Sequence, residues 1–171
     1  MKHTLSVLVE NRPGALARVV SMFRRRSFNI DSLAVGPTER HDVSRITLRV
    51  DCADNALAQF EKQIHKLVDV LRVNELTPGE SVERELALIK VAAPPSRRAE
   101  LLTLAEAFRA RVADLGPDAI VFEIVGAPGD VDAFEELVRP HGVKELVRTG
   151  RIGLARAAAP VPGGRPQYVL R

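Results

Sequence analysis

The sequence predicts an α+β chain made of two βαββαβ sandwiches in tandem, and three observations carry that prediction. Apolar residues alternate along short runs, Leu5, Val7 and Val9 first among them, as half-buried strands require. Between such runs apolar residues recur at i, i+3, i+4 and i+7, as in Leu16, Val19, Val20 and Phe23, which is a helix stripe. The order strand, helix, strand, strand, helix, strand then occurs twice, either side of the turn-forming stretch Thr77-Pro78-Gly79-Glu80-Ser81.

In the first half, Pro13 suits a first helical position, where its missing N–H has no intrahelical partner to lose. Arg24-Arg25-Arg26 closes that helix as a solvated cap, because cations complement the negative end of the helix dipole. Asn29 opens a second strand, NIDSLAVG, stopped by Gly36-Pro37, and the polar run TERHD reads as a hairpin loop. Ile46, Leu48 and Val50 then alternate with Arg45, Thr47 and Arg49: one buried face and one polar face, as in an antiparallel sheet with helices on one side. Ala53, Leu57, Phe60, Ile64 and Leu67 mark a second helix, and Val68 to Leu76 a fourth strand.

The second half repeats this architecture without visibly repeating the sequence. Glu85 to Val91 reads as a strand, Ser96 as a helix N-cap, and Leu101, Leu104, Ala105 and Phe108 as a helix stripe. Val112–Leu115 and Ile120–Val125 are strands around the turn Gly116-Pro117-Asp118. Asp130 caps a helix carrying Phe134, Leu137 and Val138, which His141-Gly142 ends, and Val143 to Thr149 is the last strand. The domains are therefore expected at residues 1–77 and 83–156, joined by a linker at 78–82. The Ala/Pro/Gly-rich tail, residues 157–171, is expected to be loosely ordered.

Composition narrows the function. Net charge is +3 across 171 residues and tyrosine and tryptophan together number one, so neither the electrostatics nor the stacking platforms of a nucleic-acid binder are supplied. The single cysteine, Cys52, excludes an intramolecular disulfide and reads as a small buried hydrophobe. The four scattered histidines have no metal-ligand spacing. No signal peptide or membrane span is read at the N-terminus, so a cytoplasmic protein is expected, with no membrane partner. There is no GxSxG elbow, no GxxxxGK[ST] loop and no GxGxxG fingerprint, and Glu135-Glu136 and Asp130/Asp132 read as dipole-matched solvated charge; no catalytic residue and no metal site is assigned. Asp31 is the one acidic residue singled out, as structural or effector-orienting rather than a general base. Binding or regulation fits this inventory, and exposed sheet edges argue for a homodimer.

The chemistry that remains is concentrated between the first strand and the first helix. Asn11-Arg12-Pro13-Gly14 places amide donors and a positive dipole end at the mouth of a tight turn, and Gly14 lets a ligand approach the backbone. Such a turn suits a carboxylate.

ENRPGALARVVSMFRRRSFNIDSLAVGPTE followed by SRITLRV closely resembles the N-terminal ACT domain of the regulatory (small) subunits of acetolactate synthase, also called acetohydroxyacid synthase. VERELALIKV, FRARVADLGPDAIVFEIVG and DAFEELVRPHGVKELVRTGRIGLAR extend the resemblance to about Arg156. It implies tandem ferredoxin-like domains and a non-catalytic partner of a thiamine-diphosphate-dependent large subunit, which the small subunit activates and places under feedback inhibition by a branched-chain amino acid, usually valine. It implies no cofactor on this chain; thiamine diphosphate, magnesium and FAD are expected on the large subunit. It implies an effector site of Asn11, Pro13, Gly14, Ala15 and Leu16 at the turn, completed by Asn29 and Ile30 from the facing ACT domain of a homodimer. The alternative is a stand-alone amino-acid-sensing ACT protein with no enzyme partner.

Overall fold

A computed structural model describes residues 1–25 and 28–157, leaving aside the side chains of Asp54, Asn55, Ala58 and Phe60. Arg26 of the expected helix cap, the Phe60 position of the second helix stripe and residues 158–171 of the expected tail thus lie outside the described residues. The described chain divides into two compact units, 1–82 together with 151–157, and Glu83–Gly150.

The first unit runs β1 (Lys2–Glu10), α1 (Ala15–Arg25), β2 (Asn29–Pro37), β3 (Val43–Asp51), α2 (Asp54–Ile64) and β4 (Val70–Glu75). Its strands form an antiparallel sheet in the order β2-β3-β1-β4. One face carries Leu5, Val7, Ile46, Leu48 and Val50, all fully buried with Val19 and Phe23 of α1 and Ile64 of α2. The alternation in β3 therefore sets the layer: its core side chains are apolar, while Arg45 on the other face donates through Nη1 to Ser6 Oγ at 2.9 Å. Cys52 is buried in the same core and is a free thiol. In α1 the buried line is Ala15, Val19 and Phe23, so Leu16, expected on the stripe, stands largely exposed. A step of one residue turns a helical side chain through about 100°, and Ala15 takes the core position in its place.

The second unit repeats the plan with β5 (Ser81–Ala92), α3 (Arg98–Ala107), β6 (Arg111–Leu115), β7 (Ala119–Gly126), α4 (Pro128–Val138) and β8 (Val143–Arg148). Its order, β6-β7-β5-β8, is the order of the first sheet. Both units thus have the ferredoxin-like topology expected. Ile89, Phe122 and Phe134 centre the core, the two rings meeting edge to face at 5.8 Å. Two expected caps differ. Ser96 lies inside a short 3-10 turn, Pro95–Arg97, and supplies no side-chain cap to α3. Asp130 is the third residue of α4, and its carboxylate accepts from the Ala127 N–H at 3.2 Å. Gly142, at φ +91, ends the chain's turn after α4 in the left-handed region that glycine enters without strain. A short strand absent from the sequence reading, β9 (Ile152–Ala155), pairs with β5. Residues 151–157 group with the first unit.

Candidate functional site

The turn after β1 is held from two sides. Asn11 is pinned to the β2–β3 hairpin loop twice: its N–H donates to the Asp42 carbonyl at 2.8 Å and its Nδ2 to the His41 carbonyl at 3.0 Å. On the other side the Glu10 N–H donates to the Asp69 carbonyl at 2.8 Å, and the buried Asp69 carboxylate takes the Nε of Arg18. Arg18 returns to the turn through its own N–H, which donates to the Gly14 carbonyl at 3.0 Å.

Gly14 sits at φ +85, a left-handed conformation that disfavours a Cβ. A Cβ there would meet Arg18 Nη1 at 3.4 Å. Asn11, Pro13 and Gly14 are exposed, Ala15 is buried in the core and Leu16 points outward. The N–H groups of Gly14, Leu16 and Ala17 find no acceptor among the described residues, as the first turn of a helix dictates. The turn therefore presents amide donors, the dipole end of α1, the outward edge of Arg18 and the apolar side chain of Leu16. A small carboxylate with an aliphatic tail suits that set.

Asn29 and Ile30 lie elsewhere. Asn29 pairs with Asp51, and Asp51 pairs with Lys2, so Asn29 is level with the start of β1. The Asn11 turn follows Glu10 at its far end. Eight residue steps at 3.4 Å separate the two levels by about 27 Å. A free amino acid is far shorter, so no single chain brings both groups onto one. Asn29 is exposed, while Ile30, its neighbour in an extended strand, faces the opposite way and packs half-buried against the core.

Both asparagines are oriented alike. Asn11 Nδ2 is committed to His41, and Asn29 Nδ2 donates to Asp31 Oδ1 at 3.2 Å. Each amide is thus held through its NH2 half, and its carbonyl oxygen is the half that an ammonium group needs. Asp31 is gripped by Lys2 Nζ at 2.9 Å, with Arg49 Nε 4.0 Å away. The hydrogen bond from Lys2 holds the Asp31 carboxyl below the usual carboxylate range, the two nearby cations adding to it against a smaller opposing effect of burial. Arg18, Asp69 and the hairpin carbonyls were not read from the sequence as parts of this region. An acidic residue inside the apolar run Val68-Asp69-Val70 was the available signal. Among the described residues no group of three His, Cys, Asp or Glu side chains could hold a metal ion, and no helix is long and apolar enough to cross a membrane.

Residues 5–72 match the family model for the ACT domain of acetohydroxyacid synthase small subunits, and residues 84–157 match the one for the small subunit of acetolactate synthase. A protein of Archaeoglobus fulgidus described as "probable acetolactate synthase small subunit" is 51% identical over 91% of this chain and 98% of its own length. The chain belongs to the acetolactate synthase small-subunit family. The small subunit of Mycolicibacterium smegmatis is 44% identical over 90% of this chain and 91% of that protein. The crystal structure of the small subunit from Thermotoga maritima superposes with a TM-score of 0.83 at 39% identity, covering 91% of this chain and 98% of that one. As an acetolactate synthase small subunit this chain is regulatory, and the catalytic activity resides in a separate large subunit.

Proposed function

We propose that this small subunit binds the acetolactate synthase large subunit, raises its turnover, and makes it sensitive to a branched-chain amino acid, valine foremost. The effector lies between two copies of the chain. Its carboxylate meets the Gly14, Leu16 and Ala17 amides of one copy, its ammonium meets the side-chain oxygens of Asn11 and of Asn29 from the facing copy, and Leu16 covers its side chain. Ala15 packs beneath the turn, Pro13 starts the helix without losing an intrahelical bond, and Ile30 backs Asn29 from the core. Thiamine diphosphate, magnesium and FAD belong to the large subunit in this reading, which gives the present chain only the regulatory chemistry.

The observation that carries the reading is the separation along the first sheet: the donor half and the second acceptor half stand about 27 Å apart in one chain, and each is built and oriented without the other. A two-copy site uses both. The test is reconstitution with the large subunit and titration with valine. Activation by the chain, followed by inhibition that saturates with valine, is the expected result. Activation without any response to valine, leucine or isoleucine would leave a partner-binding subunit and remove the effector site.

A further inference from the structure

Asp31 occupies an irregular position in β2. Ile30 pairs with Val50 and Ser32 with Arg49, so Asp31 is the extra residue of a bulge and has no partner across the strand pair. Bulges re-aim side chains, and this one directs a carboxylate along the sheet rather than away from it. Oδ2 is taken by Lys2 Nζ at 2.9 Å, from the start of β1, with Arg49 of β3 beyond. Oδ1 is left for Asn29 Nδ2 at 3.2 Å. A carboxylate only accepts hydrogen bonds, so whatever part of the Asn29 amide faces it must be the donor half. With its NH2 half turned to Asp31, the oxygen is the half of Asn29 left to accept from a ligand.

We propose that Asp31 is a positioning residue: anchored by Lys2, it fixes the Asn29 amide with its oxygen toward the effector, and so selects a ligand with an ammonium group over one without. The inference rests on the effector reading above and adds the origin of its selectivity. Without Asp31 the amide turns freely and offers its NH2 half as readily as its oxygen, so an amino acid loses its advantage over the corresponding deaminated acid.

Calorimetric titration of the full chain with valine and with 3-methylbutanoate, which shares the carboxylate and branched tail but lacks the ammonium, tests this. Asp31→Ser is expected to weaken valine about tenfold, the loss of one hydrogen bond to a charged partner, while leaving 3-methylbutanoate unchanged. Asp31→Asn offers one acceptor where Lys2 and Asn29 each need one; Lys2 takes it, the new NH2 faces Asn29, and selectivity is lost as in Asp31→Ser. In an Asn29→Ala background Asp31→Ser costs nothing further, because the group it acts through is gone. Equal weakening of both ligands, an undiminished effect in the Asn29→Ala background, or unaltered valine affinity in Asp31→Ser would each overturn the role of Asp31. If valine binding survives both Gly14→Asp and Asn29→Ala, or is absent from the unaltered chain, the effector site itself is wrong and this inference falls with it.

Discussion

Arg148 grips Glu85 with two parallel hydrogen bonds, Nε to Oε1 at 3.0 Å and Nη2 to Oε2 at 2.7 Å. The pair ties the end of β8 to β5, and Arg148 Nη1 also reaches Asp132 at 2.7 Å and Glu135 at 3.3 Å on α4. Glu85 is buried, so the fork geometry offsets the cost of taking its charge out of water. One guanidinium thus holds three elements of the second unit together.

Breaking this pair from one side is expected to be expensive. Arg148→Met strands the Glu85 carboxylate in the interior, at a cost of about 3–5 kcal/mol. Loss of hydrogen-exchange protection at the β5 and β8 amides reads it directly. The double variant Glu85→Leu with Arg148→Met restores much of that protection, since an apolar pair leaves no buried charge unmatched. Equal protection in Arg148→Met and the unaltered chain would show that the network contributes nothing.

Arg18 and Asp69 make a second ion pair, beside the turn after β1, but Arg18 is about half exposed, so solvent weakens the interaction. Arg18→Met leaves a buried acceptor unsatisfied and is expected to lower the thermal midpoint. Adding Asp69→Asn is expected to recover part of the loss. A midpoint unmoved by Arg18→Met would mean that Asp69 finds another donor.

Asp31 gives the first unit a defined acid response. Its carboxyl titrates below the ordinary value, chiefly through the hydrogen bond from Lys2. A lowered folded value means that this contribution is complete above the unfolded pKa, about 4, and is lost as pH falls through the lower folded one. The stability gap between the unaltered chain and Asp31→Asn is therefore expected to be full at pH 6 and to close below pH 4, followed by urea midpoints. A gap that widens on acidification contradicts the assignment.

Much of this was legible in the sequence where one physical rule acted alone. Ile46, Leu48 and Val50 could face only the core, because a shift of one residue would bury Arg45 and Arg49. Pro13-Gly14 marked the turn through proline's fixed φ and glycine's freedom. The reading failed where two residues competed for one role. Ala15 and Leu16 are both apolar, and only the docking of α1 decided that the smaller one goes inside. Ser96 and Asp130 are good cappers in isolation, yet the helices start elsewhere. The bulge at Asp31 and the Arg18–Asp69 pair depend on contacts between distant segments, which no local pattern encodes. At position 14, φ +85 makes any side chain strained, though Asp is among the better tolerated.

The central claim, that one effector is held by the turn of one copy and the Asn29 end of another, is tested most directly by mixing two defective chains. Gly14→Asp blocks the donor half and Asn29→Ala removes the acceptor half, and each alone is expected to activate the large subunit while losing most valine inhibition, with Gly14→Asn controlling for backbone strain. A dimer formed from one chain of each kind contains one site in which both halves are intact. Random reassortment after mild unfolding and refolding of an equal mixture makes half the dimers mixed, so about a quarter of all sites are restored. Valine binding, absent from either variant, is expected to return in the mixture at roughly that occupancy. A mixture that binds no more valine than the separate variants would contradict the claim.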